Sequence, residues 1–511
     1  MSRPRHRAVA RAASAATLPP IQSDPDLLQS FVSDAAHVPG GTAEGVVFPR
    51  DAAEVAAVVH AARRVLPVGA QSSLTGGATP RGDVVLSTRG LSGIAEPTAN
   101  TVRVGAGVPL SDLQRFLAAR DLYYPPLPTF DGAFVGGTIA TNAAGAATFK
   151  YGVTRDWVAG LTVVLADGSI LDISRGDVRA SDEGIIEVET IGRGLISLNI
   201  PTYHVPALPK VSAGYFTEPG LDLVDLFVGS EGTLGVITAA TLRVKRRPLR
   251  CVALIVCGSE AQAIAVTAKL RAAAATPADA LDVAAVEYMD ARSLALVDQS
   301  VFARAGIGRP GDGTTMLLVQ IETEGNLEAS LSRLQDILQI AGIDDDPVVA
   351  SPGDDRTAVR LFEVREAVPA SVNACVAAAK GRVGDAIQKM AGDFIVPFDA
   401  LARALALYRE AFERRDLEYA IWGHISDGNL HPNAIPRSSQ DMEKARDALR
   451  EMARGVMALG GAPLAEHGVG RNSLKQQFLR DMYGESGIEQ MRAVKRALDP
   501  DGKLAAGVLF P

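Results

Sequence analysis

The sequence has few cysteines and no long apolar run, and each lack excludes a class of protein. Its 511 residues include only three cysteines, Cys251, Cys257 and Cys375, and no C-x-x-C motif. A zinc ribbon, a disulfide framework and an iron–sulfur cluster bound by the chain's own cysteines are therefore excluded. No stretch of about 18 apolar residues is present, which excludes a membrane-spanning helix.

An excess of positive charge is also lacking. The formal net charge is −8, whereas a nucleic-acid-binding protein needs a basic surface for phosphate groups. With 47% hydrophobic and 22% charged residues, the composition is typical of a soluble globular protein. The length predicts two or three domains.

The first part of the chain lacks acidic residues. Residues 1–23 contain four arginines, many alanines and serines, and no aspartate or glutamate, a composition shared by organellar transit peptides. Pro4, Pro19 and Pro20 would interrupt an amphipathic helix, so we expect residues 1–23 to be disordered, as the first part of an N-terminal lead over residues 1–44. We expect a cytoplasmic protein, with peripheral association at the inner face of a membrane and organellar targeting as the alternatives.

Histidines are few, and three of the seven lie in two motifs that also contain other polar or acidic residues able to bind a ligand. The first motif, at residues 422–433, reads W-G-H-I-S-D-G-N-L-H-P-N and predicts a hairpin with its turn at residues 426–429. In that register Ile425 faces Leu430 and His424 faces His431, with Cβ atoms roughly 4.5–5.5 Å apart. Asn433 points to the same face.

Two imidazoles and an amide on one face suit a divalent cation. The second motif, A-E-H-G-V-G, contains Glu466 and His467. His424, His431 and Glu466 together would leave coordination positions open for water or substrate, as catalytic metal sites do. The alternative is a hydrogen-bonded pair of surface histidines, and spacing alone does not separate the two interpretations.

Three glycine-rich segments lie in the first half of the chain. They read P-V-G-A-Q-S-S-L-T-G-G at residues 67–77, V-G-G-T-I-A-T-N-A-A-G at 135–145 and L-F-V-G-S-E-G-T-L-G-V-I-T at 226–238. In the first segment several backbone N–H groups could converge on an anion, although neither a Walker nor a Rossmann motif is present. The second indicates a backbone packed against a flat or extended ligand.

Helical and strand patterns alternate along the chain, which predicts an α+β fold. The predicted helices cover residues 50–64, 110–120, 261–275 and 327–341, and the predicted strands cover 84–87, 101–104, 161–165, 169–173, 252–256 and 316–321.

In this order and spacing, the three glycine-rich segments resemble the flavin-binding domain of the vanillyl-alcohol oxidase superfamily. The pattern G-H-x-x-D-G-N-x-H followed by E-H-G-x-G resembles its D-2-hydroxy-acid dehydrogenase branch, which includes D-lactate dehydrogenases, the glycolate oxidase flavin subunit and D-2-hydroxyglutarate dehydrogenase. The resemblance implies a two-part PCMH-type FAD-binding domain over residues 45–247 and an α+β cap (FAD-linked oxidase C-terminal) domain over 248–460. Residues 461–511 would return to the FAD domain.

The resemblance also implies which residues contact FAD. The segment that holds the pyrophosphate corresponds to Gly69, Ala70, Gln71, Ser72 and Ser73, the segment beside the flavin to Gly136, Gly137, Thr138, Thr141 and Asn142, and the third contact to Glu231 and Ile237. Relatives that attach flavin covalently use a histidine or cysteine, and residues 67–77 contain neither. We therefore expect noncovalent FAD.

The same resemblance assigns the catalytic residues. His424, His431 and Glu466 would bind a divalent metal, with zinc, manganese and iron as the options, and His467 would be the base. The substrate would contact Asn433, Arg365 in L-F-E-V-R-E-A and Lys389. From the sequence alone, Arg365 could instead pair with Glu366 or Glu363. Pro369 stands where hydroxyglutarate enzymes have a hydroxyl residue, which argues against that substrate.

We therefore expect an FAD-dependent oxidoreductase that converts a D-2-hydroxy acid, of the D-lactate or glycolate type, to the 2-oxo acid. Metal-assisted deprotonation of the hydroxyl would accompany hydride transfer to flavin. The partners would be this small substrate and an external electron acceptor, namely a quinone, a cytochrome, an electron-transfer flavoprotein or oxygen; a homodimer is one option for assembly. The alternatives are a same-fold oxidase that uses oxygen on another alcohol, a flavin-free metal-dependent hydrolase, and a noncatalytic flavin-binding or subunit-assembly protein.

Overall fold

The computed structural model describes residues 5–276, 281–323 and 325–511, and these contain both strands and helices. In chain order the strands are β1 Arg7–Val9, β2 Thr42–Val47, β3 Val65–Val68, β4 Arg81–Ser87, β5 Thr101–Gly105, β6 Leu122–Tyr123, β7 Val158–Val164, β8 Ile170–Ser174, β9 Ile185–Thr190, β10 Gly194–Asn199, β11 Val236–Arg243, β12 Lys245–Arg246, β13 Leu249–Cys257, β14 Asp282–Met289, β15 Thr315–Thr323, β16 Val348–Ala350, β17 Met390–Ala391, β18 Phe394–Ile395, β19 Tyr419–His424 and β20 Asn429–Ala434.

The helices alternate with these strands. In chain order they are α1 Pro25–Gln29, α2 Ala52–Ala61, α3 Leu110–Ala118, α4 Val135–Ala140, α5 Thr148–Tyr151, α6 Thr154–Trp157, α7 Leu223–Phe227, α8 Glu260–Ala274, α9 Ala291–Ala295, α10 Gln299–Arg304, α11 Leu327–Ile340, α12 Asp355–Val383, α13 Leu401–Glu413, α14 Ser439–Ala458 and α15 Ser473–Leu498. The helices and strands predicted from periodicity are all present, with ends displaced by a few residues. Within the described ranges, no helix is both long and apolar enough to cross a membrane.

The first compact unit contains the described residues up to Ala144, together with Gly152–Arg246 and Glu466–Pro511. Its strands form a parallel sheet in the order β2-β4-β3, an antiparallel sheet in the order β5-β11-β7-β8, a third sheet in the order β1-β9-β10, and the pair β12-β6. Helix α2 begins where the side chain of Asp51 accepts hydrogen bonds from the N–H groups of Ala53 and Glu54, which is the usual N-cap arrangement.

The expectation of a disordered N-terminal lead is wrong for part of that segment, of which residues 1–4 lie outside the described residues. Strand β1 pairs in parallel with β9, and Ala8 and Ala10 are buried. Two of the four arginines form ion pairs with carboxylates on neighbouring strands: Arg7 with Glu189 and Arg11 with Asp172. Composition could not show this because both carboxylates lie far along the chain.

The second compact unit contains Gly145–Tyr151 and Arg247–Ala465. It is built on an eight-stranded sheet in the order β16-β13-β15-β14-β19-β20-β17, with β18 also paired to β20. The 29-residue helix α12 buries its apolar residues Leu361, Val364, Val368 and Val372 in a core shared with residues of that sheet. Helix α12 also contains Pro369, which has no N–H to give to the carbonyl of Arg365 one turn earlier.

The hairpin at residues 419–434 forms, but its predicted register is wrong by two residues. His424 is opposite Asn429, and His431 is opposite Trp422. The turn starts earlier than predicted because residues 425–427 form a short 3-10 helix, which Gly428 ends with φ +84°. A shift of two residues leaves every side chain on its predicted face, so His424, His431 and Asn433 still share one face.

Candidate functional site

A cavity of about 550 Å³ lies in the first unit, and the three glycine-rich segments form much of its wall. Eleven of the twelve residues predicted to contact FAD line it: Gly69, Ala70, Gln71, Ser72, Ser73, Gly136, Gly137, Thr138, Thr141, Glu231 and Ile237. Glu466 and His467 also line it. Its volume is in the range of small-molecule and cofactor sites.

Two adjacent glycines in α4 show why the wall accepts a large flat ligand. A Cβ atom on Gly136 would lie 2.6 Å from the Cβ atom of Ala106, so a side chain there would collide with the scaffold. Among the described residues, a Cβ atom on Gly137 would have no atom within 4 Å outside its own helix backbone and its two chain neighbours, although Gly137 lines the cavity. The bare backbone at Gly137 leaves room for a ligand, and this part of the cavity therefore fits FAD.

The segment 69–73 is held in an unusual backbone conformation. Gln71 has φ +58°, a left-handed conformation that is uncommon outside glycine. Its side-chain Nε2 donates to the carbonyl groups of Ser30 and Ser33, both at 2.9 Å. These bonds fix the loop, and a fixed loop of small residues can direct backbone N–H groups at an anion such as a pyrophosphate.

Asn142 is the one predicted FAD contact that does not line the cavity. Its side-chain Oδ1 accepts a hydrogen bond from the backbone N–H of Arg155 at 2.9 Å, and its backbone is left-handed, with φ +47°. The structure thus gives this asparagine a role in joining the end of the second glycine-rich segment to α6.

Glu231 connects the third glycine-rich segment to the C-terminal part of the chain. Its two carboxylate oxygens accept hydrogen bonds from the N–H groups of Val469 and Gly470, each at 2.8 Å, and its backbone has φ +51°. Burial raises the pKa of its carboxyl to about 7, although the two backbone hydrogen bonds lower it. The contact holds the loop that follows Glu466 and His467 against the cavity wall.

Glu466, the metal ligand predicted in the first unit, lies beside two cationic or ionisable groups. Lys210 Nζ is 3.0 Å from its Oε2 atom, and His467 Nε2 is 3.3 Å from its Oε1 atom. Lys210 is almost completely buried. Charge on the carboxylate is therefore balanced inside the first unit.

The predicted histidine ligands lie in the second unit, so the predicted ligand set is divided between the two units. His424 and His431 are both buried. Their ring centroids are 5.6 Å apart and the rings are nearly perpendicular, at 89°. His431 Nδ1 is also 3.9 Å from the carboxylate of Asp393. Buried imidazole nitrogen and carboxylate oxygen atoms are donor types that a divalent transition metal accepts.

A buried carboxylate connects His424 to the predicted substrate arginine. Glu287, on β14, contacts Nδ1 of His424 through Oε1 and accepts a 2.6 Å hydrogen bond from Nε of Arg365 through Oε2. Burial raises the pKa of Glu287, but the charges of His424 and Arg365 outweigh it and hold that pKa well below its usual range. The Nη1 atom of Arg365 also lies 3.3 Å from Glu366. The pairing with Glu366 that the sequence left open is therefore present beside the contact with Glu287.

The remaining predicted substrate contacts also belong to the second unit. Asn433 is fully buried and its Nδ2 donates to the carbonyl of His431 at 2.8 Å. Among the described residues, its Oδ1 atom has no hydrogen-bond partner, which fits a polar ligand atom because buried acceptors are seldom left unpaired. Lys389 is exposed, with Nζ 5.9 Å from the centre of the Trp422 ring.

Sequence reasoning missed Glu287, Lys210 and Asp393. A signal existed for the first, since Glu287 is the only charged residue within the apolar run V-A-A-V-E-Y-M of β14, and a charge in a buried strand needs a partner. Lys210 lies in a loop and Asp393 in an isolated β-bridge with Leu464, and neither position has such a pattern.

Comparison with known proteins finds two domain families that match this chain. The family model described as "FAD binding domain" matches residues 43–174, and the model described as "FAD linked oxidases, C-terminal domain" matches residues 247–509. The second match alone covers more than half of the chain.

Similar proteins include the glycolate oxidase subunit GlcD of Bacillus subtilis, 29% identical over 91% of this chain and 89% of that protein. Others are a D-2-hydroxyglutarate dehydrogenase of Stutzerimonas stutzeri, 26% identical over 96% of each chain, and a D-lactate dehydrogenase of Archaeoglobus fulgidus, 28% identical over 90% of each chain. A solved alkyldihydroxyacetonephosphate synthase shares the fold, with a TM-score of 0.62 at 14% identity over 95% of this chain and 81% of that one.

The fold and the matches define the class as flavoproteins that carry a PCMH-type FAD-binding domain and a mixed α+β C-terminal domain, as the sequence predicted. The chain belongs to the FAD-linked oxidase family and is an FAD-dependent oxidoreductase. This membership argues against the flavin-free hydrolase considered from the sequence.

Proposed function

We propose that the protein oxidises a small D-2-hydroxy acid, of the D-lactate or glycolate type, to the corresponding 2-oxo acid. The observation that carries the proposal lies in the second unit. There His424 contacts one carboxylate oxygen of Glu287, and Arg365 donates a hydrogen bond to the other. Imidazole suits a metal ion and guanidinium suits a carboxylate. A 2-hydroxy acid presents a hydroxyl and a carboxylate close together, which such a pair of groups would recognise. The names of the similar proteins support the same substrate class.

We assign His424, His431 and Glu466 as ligands of a divalent metal, with zinc as the first choice and manganese or iron as the alternatives. The support is chemical, since buried imidazoles and a carboxylate are ligands that these ions share. When bound, such an ion would supply Lewis-acid polarisation of the substrate hydroxyl.

His467 is the group we assign as the base that accepts the hydroxyl proton at a ring nitrogen. It lines the same cavity as the residues assigned to FAD, and its Nε2 atom is close to Glu466. Histidine is the side chain most often used as a general base.

Arg365 is the group we assign to the substrate carboxylate. It is buried, and its Nε atom is fixed by Glu287, so the planar guanidinium is held in one orientation before substrate arrives. Asn433 would offer its buried amide oxygen to the substrate hydroxyl. Lys389 is an exposed cation that would attract the anionic substrate.

FAD would bind noncovalently in the cavity of the first unit and would supply the acceptor for the hydride from the substrate Cα. The protein contributes three features to this binding. Hydrogen bonds of Gln71 fix the loop at residues 69–73, and Gly137 has no side chain to occupy the cavity. The carboxylate of Glu231 holds the backbone that follows His467. Electrons would then pass to an external acceptor, namely a quinone, a cytochrome, an electron-transfer flavoprotein or oxygen. We keep the homodimer as one option for assembly.

The experiment is anaerobic absorption spectroscopy of the purified protein as D-lactate, glycolate, D-2-hydroxyglutarate and larger D-2-hydroxy acids are added in turn. We expect the flavin band near roughly 450 nm to bleach with one of the small acids, and a chelator to prevent the bleaching. L-lactate is the matched control for stereochemistry. A flavin band that none of these acids bleaches would rule out the proposed reaction. Rapid reoxidation in air with formation of hydrogen peroxide would identify oxygen as the acceptor.

A further inference from the structure

Glu287 is a charged residue in an otherwise apolar strand, and its position is set by strand pairing. In the sheet of the second unit, β14 lies next to β19, and Glu287 is directly opposite His424. Opposed residues of an antiparallel pair point to the same face. The carboxylate and the imidazole are therefore brought together by the backbone, without any contribution from a loop.

The two oxygens of Glu287 contact different groups. Oε1 contacts Nδ1 of His424, and Oε2 accepts from Nε of Arg365. All three side chains are buried, with at most 5% of each residue exposed. A single carboxylate thus fixes the ring of a proposed metal ligand and the guanidinium of the proposed substrate site.

We propose that Glu287 is a positioning residue that keeps the proton of His424 on Nδ1, so that Nε2 is the atom that binds the metal, while it orients Arg365. The proposal rests on the proposed function, which assigns His424 to the metal and Arg365 to the substrate. A carboxylate that accepts from one ring nitrogen sets the tautomer, makes the other nitrogen the ligand and strengthens it as a ligand.

A purely structural interpretation would be that Glu287 only neutralises the buried charge of Arg365. The two interpretations differ in what an amide would do at this position. In Glu287→Gln, the amide would donate an N–H to Nδ1 of His424 and move the ring proton to Nε2, where it blocks metal binding. The shape of the side chain is unchanged, so a loss of metal affinity would report the tautomer rather than the packing.

The first test measures the Zn²⁺ affinity of the flavin-loaded wild type, Glu287→Gln and Glu366→Gln, by competition with a chelator of known affinity. Glu366→Gln is the matched control because it removes the other carboxylate that pairs with Arg365, at 3.3 Å from its Nη1 atom, and leaves the contact between Glu287 and His424 in place. We expect zinc binding to weaken by about 10-fold to 100-fold in Glu287→Gln and to stay within about threefold of wild type in Glu366→Gln. Unchanged affinity in a folded Glu287→Gln would overturn the proposal.

A second measurement needs no substitution at Glu287 and so remains decisive if that variant does not fold. Nitrogen-15 NMR of histidine-labelled wild type, with His424→Gln to assign the signal, reports which ring nitrogen of His424 carries the proton. We expect a protonated Nδ1 and a zinc-bound Nε2. Zinc bound through Nδ1 would overturn the inference.

These outcomes separate the inference from the function on which it rests. Suppose that the flavin of the wild type bleaches with a hydroxy acid only when zinc is present, and that Glu287→Gln binds zinc as tightly as the wild type does. The proposed function would then be supported, and the proposed role of Glu287 would be wrong. A wild type that binds no divalent ion would remove both the metal assignment and the inference.

Discussion

The Nζ atom of Lys210 lies 3.0 Å from the Oε2 atom of Glu466, and the two side chains are only 1% and 8% exposed. This ion pair within the first unit joins a loop residue to the start of the C-terminal segment. Because water is excluded from both charges, each depends on the other for its stabilisation.

We expect Lys210→Met to lower the free energy of unfolding by about 3 kcal/mol or more, since it leaves the Glu466 carboxylate buried without its ammonium partner. Urea unfolding followed by circular dichroism at neutral pH measures the change. Lys444→Met, at a partly exposed position on α14, is the control and should differ from wild type by about 0.5 kcal/mol or less. Equal stability of the two variants would show that the pair contributes little.

Glu231 should make stability depend on pH in the first unit. Burial raises its pKa from 4.5 to about 7, so between these values the folded protein holds a proton that the unfolded chain has lost. The stabilisation is complete below about pH 4.5 and is lost as pH rises through about 7, for a total of about 3 kcal/mol.

The measurement is the free energy of unfolding of wild type and Glu231→Gln at pH 5 and pH 7.5. We expect the difference between the two pH values to shrink by about 2–3 kcal/mol in Glu231→Gln, because an amide does not titrate. Glu443→Gln, an exposed site on α14, should retain the wild-type difference. Parallel pH profiles for wild type and Glu231→Gln would contradict the assignment.

Substitution of the two glycines of α4 should affect different properties, namely stability at Gly136 and FAD affinity at Gly137. Gly136→Ala would place its Cβ atom 2.6 Å from Ala106, and we expect it to destabilise the protein by about 1–3 kcal/mol through overpacking. In Gly137→Val, the Cβ atom meets no described atom beyond its own helix backbone and chain neighbours, so stability without flavin should change little while FAD affinity falls at least tenfold.

Thermal unfolding of the flavin-free protein and fluorescence titration with FAD separate these two effects. Gly137→Ala serves as the graded control, with a smaller loss of affinity than Gly137→Val and a slight gain in helix stability, about 0.5–1 kcal/mol. If Gly137→Val binds FAD as tightly as wild type does, the ligand does not lie against this glycine.

Arg365→Lys should keep the buried charge beside Glu287 but lose the planar fork that binds two oxygens at once. We expect KM for the 2-hydroxy acid to rise about tenfold, or about 1.4 kcal/mol, with flavin content unchanged. Arg304→Lys is the control, because Arg304 forms an exposed pair with Glu363 at 3.4 Å. An unaltered KM in Arg365→Lys would assign the substrate carboxylate to another cation.

Much of the first unit could be predicted because its signals are local. Glycines and small residues mark the backbone that lines the cavity, and eleven of the twelve predicted contacts line it. The face of the hairpin was equally predictable, since alternation along a strand is a property of the backbone itself.

The rest depended on contacts that sequence neighbours do not determine. The predicted register of the hairpin was wrong by two residues. Residues 425–427 form a 3-10 helix that Gly428 ends, and the residue types alone do not distinguish this turn from one that starts at residue 426. Glu287 lies 137 positions before His424, and only the pairing of β14 with β19 brings them together. Lys210 likewise meets Glu466 across 256 positions.

Strand β1 is the terminal strand of the sheet β1-β9-β10. A terminal strand offers unpaired backbone groups to any other extended chain, and such pairing is a route to aggregation. At the two ends of β1, however, the N–H groups of Arg5 and Arg11 donate to the carbonyls of Asp177 and Ile170. The exposed Val9 of β1 is flanked by Arg7 and Arg11, whose charges are held in place by carboxylates of the adjoining strands. The segment that resembles a targeting sequence therefore also protects this edge of the sheet, since a second extended chain would have to displace these backbone pairs before it could pair with β1.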